Sequence, residues 1–191
     1  MTDPAPITDP KALRALAHPV RWQLLELLLF TETATATQCA AAIGESVASC
    51  SYHLNMLAKY GYVEPVDVPG REKPWRRKVK RTTLNPEELE GESQLAAEAA
   101  TEAFISNESA RLVEQVRQQR HEPPEWQQAT GITVLLSYLT ATESADLAAE
   151  IRALFERYRD RAYDAAKRPS GSRPVRFTLS NYVVPGTTEI P

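Results

Sequence analysis

Cysteine is scarce in this chain, with only Cys39 and Cys50 among 191 residues. Two thiols do not make a disulfide framework, so a hydrophobic core has to hold the fold, and a reducing cytoplasm is the expected compartment. Glycine is nearly as sparse, seven in all and none clustered. That excludes the Gly-rich loops that cradle phosphates, and no nucleophile elbow or cysteine–histidine catalytic spacing is visible. Glu143, Asp146 and Glu150 recur at helical spacing beside basic residues and read as a solvated face. The chain is therefore not expected to be an enzyme. Long apolar runs are also missing. The longest, Leu24 to Phe30, is interrupted by Glu26 and falls well short of the roughly 20 residues that span a bilayer. No membrane partner is expected. The opening MTDPAPITDP is acidic and proline-rich, unlike a secretory signal, and residues 1–10 read as a flexible arm.

Metal ligands are thin on the ground as well. Thiolate or imidazole sites normally need three or four ligands. Here Cys39 is flanked by Gln38 and Ala40, while His18, His53 and His121 each stand alone. Cys39 and Cys50 fall on apolar helix faces, where a free cysteine behaves as a small hydrophobe. Neither a metal nor a cofactor is expected.

What is present is concentrated between Thr35 and Val63, TATQCAAAIGESVASCSYHLNMLAKYGYV. Thr35 or Thr37 can cap a first helix whose apolar positions are Cys39, Ala42 and Ile43. Gly44 suits the left-handed residue that ends it. Ser46 can cap a second helix, with Cys50, Leu54 and Leu57 at helical spacing. Its other face carries Ser49, Ser51, Tyr52, His53 and Asn55, compact hydrogen-bonding groups with little charge. A helix with an apolar back and a small polar front is what a DNA major groove admits.

A basic hairpin is expected next. Tyr62 to Val68 reads as a strand, Pro69-Gly70 as a turn, and Trp75 to Leu84 as a returning strand. Lys59 to Arg81 holds eight basic and three acidic residues, net +5, in a chain of net −3. Such a hairpin can hold phosphates or enter a minor groove. The rest divides unevenly: net +3 up to Asn85 and −6 beyond it. A DNA-facing N-terminal half and a C-terminal half with another task follow from that asymmetry.

Around these elements, Pro10 to Leu16 reads as a short helix, and Pro19 opens a largely buried one through Phe30. Thr31 to Thr37 reads as a loop. Asn85-Pro86-Glu87-Glu88 is a strong helix start, and the helix is expected to reach about His121. Leu95, Ala99, Ala103 or Phe104, Leu112, Val113 and Val116 form its apolar stripe. So long an amphipathic helix suggests pairing with a second subunit. After Pro123-Pro124, Gly131 to Leu139 and Val175 to Val184 read as strands. They flank a helix from Thr140 or Thr142 to about Lys167, with Leu147, Ile151, Leu154, Phe155 and Tyr158 inward. Trp126, Tyr138, Phe155, Tyr158, Phe177 and Tyr182 read first as core and second as the lining of an apolar ligand cavity.

Ala12 to Arg81 resembles the ArsR-type winged-helix transcriptional regulators. The resemblance lies in ALAHPVRWQLLELL, in ATQCAAAIGESVASCSYHLNMLAKYGYVE and in PGREKPWRRKV. The S-x-H-L-x-x-L-x-x-x-G-x-V pattern falls on Ser51, His53, Leu54, Leu57, Gly61 and Val63. It covers under half of the chain, and the remainder is similar to the C-terminal extension of a longer, non-metal subgroup. The resemblance implies a homodimer that binds an imperfect inverted repeat and usually represses, releasing DNA when a ligand or metal binds; a small-molecule effector is thus an implied partner. Many relatives bind metal through a Cys-x-Cys pair that is here reduced to Cys39. The resemblance places the recognition helix at Ser49 to Tyr60. It puts DNA contacts on Val47, Ala48, Ser49, Ser51, Tyr52, Arg71, Lys73, Arg76 and Arg77, and the polar face adds His53 and Asn55. Tyr52 replaces the Arg or His often found there, so the target sequence does not carry over from relatives.

The expected fold is mainly α with a small β wing. A winged helix-turn-helix domain (residues 11–85) is followed by a long dimerisation helix (86–122) and a C-terminal β-α-β extension (123–191). The expected function is sequence-specific DNA binding. The alternative is a protein-interaction or small-ligand-sensing module built on a winged-helix platform.

Overall fold

His18 and Pro19 set the first long helix. The His18 side chain accepts a hydrogen bond from the Val20 N–H at 3.3 Å, and Pro19 occupies the first turn, where its missing N–H costs nothing. The computed structural model describes residues 8–68, 73–78 and 89–184. Two units are resolved, divided after Gly131. The first contains α1 (Pro10–Arg14), α2 (Pro19–Thr31), β1 (Thr33–Ala34), α3 (Ala36–Ile43), α4 (Val47–Lys59), β2 (Val63–Pro65), β3 (Trp75–Arg77), α5 (Gly91–Gln119) and α6 (Pro124–Ala129). The second contains α7 (Ala141–Glu156), α8 (Arg159–Tyr163) and a short 3₁₀ turn, Ala165–Lys167. The described protein is mainly helical with one small antiparallel sheet of order β1-β3-β2. Among the described residues, no helix is long and apolar enough to cross a membrane.

The core of the first unit is aliphatic. Leu24, Leu25 and Leu28 from α2 meet Leu54 and Leu57 from α4, with Cys39, Cys50, Tyr62 and Val63 closing the cluster. Burying each such leucine contributes roughly 1.5–3 kcal/mol. Helix α5 seats its first half on this body through Ala96, Ala97 and Ala100, all buried, with Leu13 of α1 against the first two. Alanines let the helices approach closely. Farther along, Trp22 and Phe104 meet edge to face at 5.0 Å, and Arg111 pairs with Glu26 of α2. The buried face of α5 is thus not the stripe expected from its larger residues. Leu95, Leu112, Val113 and Val116 are about half exposed or more.

Several expectations are corrected. The stretch 31–37 is not entirely loop, because Thr33 and Ala34 pair with Arg76 and Trp75. The helix from Thr140 does not run unbroken to Lys167; it stops at Glu156, and α8 follows. The expected C-terminal β-α-β unit keeps only its helical part. Among the described residues, neither 131–139 nor 175–184 joins a sheet. A strand exists only through its ladder, and apolar, β-branched composition alone does not supply a partner. Val134, Leu135, Leu136 and Tyr138 are 79–91% exposed. The expected turn at Pro69-Gly70, the helix start at Asn85 to Glu88 and the arm before Thr8 lie outside the described residues.

Candidate nucleic-acid interface

Local chemistry fixes the α3–α4 pair. Thr35 and Gln38 form a reciprocal capping box: the Gln38 N–H donates to Thr35 Oγ1 at 3.2 Å, and the Thr35 N–H donates to Gln38 Oε1 at 2.8 Å. Gly44 ends α3 with φ +74°, and its N–H reaches back to the Ala40 carbonyl at 3.0 Å. Two residues later Ser46 caps α4, its Oγ accepting the Ser49 N–H at 3.1 Å. Short helix, left-handed turn and second helix are therefore specified within a dozen residues.

On α4 the apolar positions Cys50, Leu54 and Leu57 are fully buried. Opposite them, Ala48, Tyr52, Asn55 and Lys59 are exposed, at the i, i+4, i+7, i+11 spacing of a single helical stripe. Tyr52 is 57% exposed and Val47 at the helix start 44%. Ser49 and Ser51 are half-buried at the stripe's edges. The Asn55 amide donates to the Ser51 carbonyl at 2.8 Å, which lays it along the helix. No acidic residue lies on α4.

The sheet carries the cations. Strand alternation directs Arg76 outward, while Trp75 and Arg77 share the half-buried face. Arg76 pairs with Glu64 at 2.7 Å, and Lys78 lies 4.0 Å from the same carboxylate. Lys73 pairs with Asp67 at 2.9 Å. These pairs are exposed, and such pairs are worth only about 0–1 kcal/mol each, so a phosphate can compete for the cations.

A scan against protein-family models finds no match, and a search of curated proteins finds none either. The candidate interface is therefore read from its own geometry.

Two of the expected contact residues point away from the exposed stripe, His53 into the core and Arg77 toward α2. His53 is buried at 6% exposure. It sits three residues after Cys50 and four before Leu57, on the core side of α4, where its Nδ1 accepts the Arg21 Nε–H at 3.2 Å. Burial lowers its pKa, with the charges of His18 and Arg21 adding to the effect. Arg77 turns toward α2 and donates to the Leu25 carbonyl at 3.5 Å, as its side of the strand requires. Arg71 lies outside the described residues. Val47, Ala48, Ser49, Ser51, Tyr52, Asn55, Lys73 and Arg76 remain at or beside accessible surface.

Sequence reasoning passed over Lys59, although its spacing from Ala48, Tyr52 and Asn55 was sufficient to find it, and Lys78, already among the basic residues counted. It also missed Arg21. That guanidinium is buried and donates to the Ala15 and Arg14 carbonyls at 2.8 and 3.3 Å as well as to His53. Burial lowers its pKa. Only the nearness of Arg21 to the His18-Pro19 helix start hints at such a role.

The cysteines are core. Both are at 0% exposure, and burial pushes the Cys39 thiol up to about 11, with Cys50 beside it adding to the shift. Among the described residues no group of three metal-ligating side chains is found.

Proposed function

We propose that this chain is a sequence-specific DNA-binding transcriptional regulator of the winged helix-turn-helix type, similar to the ArsR-type family. It acts as a homodimeric repressor that reads an inverted repeat through the major groove. The observation that carries the reading is the exposed, acid-free stripe Ala48–Tyr52–Asn55–Lys59 on a helix held by an aliphatic back. The cations of β3 and its flanks supplement it as phosphate contacts. In this reading α4 enters the groove, the β2–β3 hairpin is the wing, and phosphates replace Glu64 and Asp67 on Arg76 and Lys73. The exposed residues Ile105, Leu112, Val113 and Val116 of α5 meet their equivalents in a second copy. Half-sites then lie about one helical turn apart or a multiple of it.

Fluorescence anisotropy against DNA from upstream of the chain's own gene, over a salt series with scrambled DNA as competitor, tests the reading. Tight binding that survives the competitor is expected. Weak binding that salt abolishes and that ignores sequence overturns it.

A second reading draws on one observation in the C-terminal unit. An apolar groove of about 370 Å³ lies along Ile151, Leu154 and Phe155 of α7, Tyr158 just before α8, and the segment 177–179, where the Phe155 and Phe177 rings meet at 4.9 Å. Its size and lining suit a small apolar ligand. A chain without DNA affinity even at low salt would act as an interaction or ligand-sensing module through this unit.

A further inference from the structure

Behind the exposed stripe of α4, the buried side chains of Arg21 and His53 meet the exposed His18 at the edge of an aliphatic core. The His18 and His53 rings lie 4.4 Å apart between centroids, tilted by 40°. His53 also meets the ring of Tyr52, which is 57% exposed on the stripe, edge to face at 5.2 Å. Both histidines act as acceptors through Nδ1. His18 takes the Val20 N–H and so caps α2; His53 takes the Arg21 Nε–H. Arg21 is anchored in turn to the carbonyls of Arg14 and Ala15. One chain of contacts therefore runs from the end of α1 through the start of α2 to the middle of α4.

An imidazole accepts at Nδ1 only while neutral, its proton then being on Nε2. An imidazolium has no lone pair to offer. Protonation of His53 breaks the link to Arg21 and places a new positive charge beside a buried guanidinium. The groups facing His53 are Arg21 from α2, His18 from the α1–α2 junction, and Tyr52 from its own helix. Glu45 from the α3–α4 turn acts more weakly and in the opposite direction.

We propose that His18, Arg21 and His53 form a proton-sensitive brace that seats α4, so that acidification through the histidine range displaces its exposed face and weakens DNA binding. The inference rests on the DNA-binding reading, and it carries a sign that simple electrostatics does not. Protonating histidines makes a protein more positive and ordinarily tightens its hold on a polyanion; the brace makes acid loosen it. His53 is a positioning residue here and touches no base.

The test measures DNA anisotropy at pH 7.5, 6.5 and 5.5 at fixed ionic strength, for wild type, His53→Gln and His18→Asn, alongside thermal melts without DNA. Glutamine keeps an acceptor for Arg21 and asparagine keeps a helix cap, and neither titrates. The expected result is a loss of about tenfold in wild-type affinity between pH 7.5 and 5.5, the effect of one pKa unit of linkage, with a nearly flat profile in at least one variant. Wild-type affinity that holds or tightens at pH 5.5, or variants that track wild type, overturn the proposal. If wild type binds no DNA at pH 7.5, the DNA reading and the affinity arm fail together. The melts then decide the brace alone: an acid-induced drop in wild type that at least one variant lacks upholds it, and parallel profiles in all three overturn it.

Discussion

At the scale of single residues, the proposed function gives different tasks to the side chains of α4, as readers of sequence, and of the sheet, as holders of backbone. Tyr52 and Asn55 lie on the stripe of α4, and Arg76 projects from the sheet beside it. Arg76→Ala is expected to weaken binding to all DNA sequences alike and to lower the slope of log K against log salt by about 0.9, the value for one phosphate contact. Tyr52→Ala is expected instead to change which sequence binds best, at nearly constant salt slope. A titration in which Arg76→Ala keeps both affinity and slope would remove Arg76 from the interface. The cysteines give a prediction independent of DNA. With both thiols fully buried and Cys39 raised to about 11, neither thiolate nor access is available near neutral pH. A thiol-reactive chromophore at pH 8 should label the native protein at least about a hundredfold more slowly than the denatured chain, since thiolate formation and opening are both required. Rapid native labelling of either cysteine would mean that α3 and α4 open far more readily than their packing implies.

At the scale of elements, the legible parts of the fold are those whose cause is local. Ser46 marks the start of α4 through a bond three residues away, and Gly44 ends α3 through its own backbone angle. The sequence left Thr35 and Thr37 as alternatives, and the reciprocal bond with Gln38 selects Thr35. Elements with distant causes were not legible. β1 consists of two residues and exists because Trp75 and Arg76, some forty positions on, lie beside it. The burial of His53 was readable in outline, since it shares the spacing of Cys50, Leu54 and Leu57. Its polar character instead suggested the outer face, and the partner that makes burial tolerable, Arg21, comes from another helix. For the candidate site, the stripe of α4 was therefore visible in the sequence, and the brace behind it was not. Gly44 offers the direct check at this scale. Its φ of +74° is one that a Cβ makes unfavourable, although nothing lies within 4 Å of where that Cβ would sit. Gly44→Ala should then cost about 1 kcal/mol, from backbone strain alone. Urea denaturation reads it as a lower midpoint at unchanged slope. A neutral or stabilising result would show that α3 ends in another way.

At the scale of the whole molecule, the unequal burial of α5 decides what to measure. Its first half is fixed to α1 and α2 through Ala96, Ala97 and Ala100, and Arg111 holds its second half to Glu26. Its remaining apolar residues therefore have no further claim on the core of the first unit. Ile105, Leu112 and Val116 follow at i, i+7 and i+11, a continuous helical stripe, and all are about half exposed. A stripe of this kind on a long surface helix stabilises a fold only when another surface covers it. A second copy is the covering that the proposed function requires, because two identical stripes related by a twofold axis complement each other. Sedimentation equilibrium at micromolar concentration is expected to return twice the chain mass of 21.3 kDa. The double substitution Leu112→Glu and Val116→Glu should return the single mass. Facing carboxylates in an apolar seam repel and lose hydration, while the buried alanine half of α5 is left intact. The variant should retain its helical circular dichroism and lose specific DNA affinity by about a hundredfold or more, because one half-site supplies only part of the binding energy. A monomeric wild type would refute pairing through α5. A variant that stays dimeric and binds DNA normally would move the dimer contact off this stripe, leaving the proposed DNA-facing side of α4 unaffected.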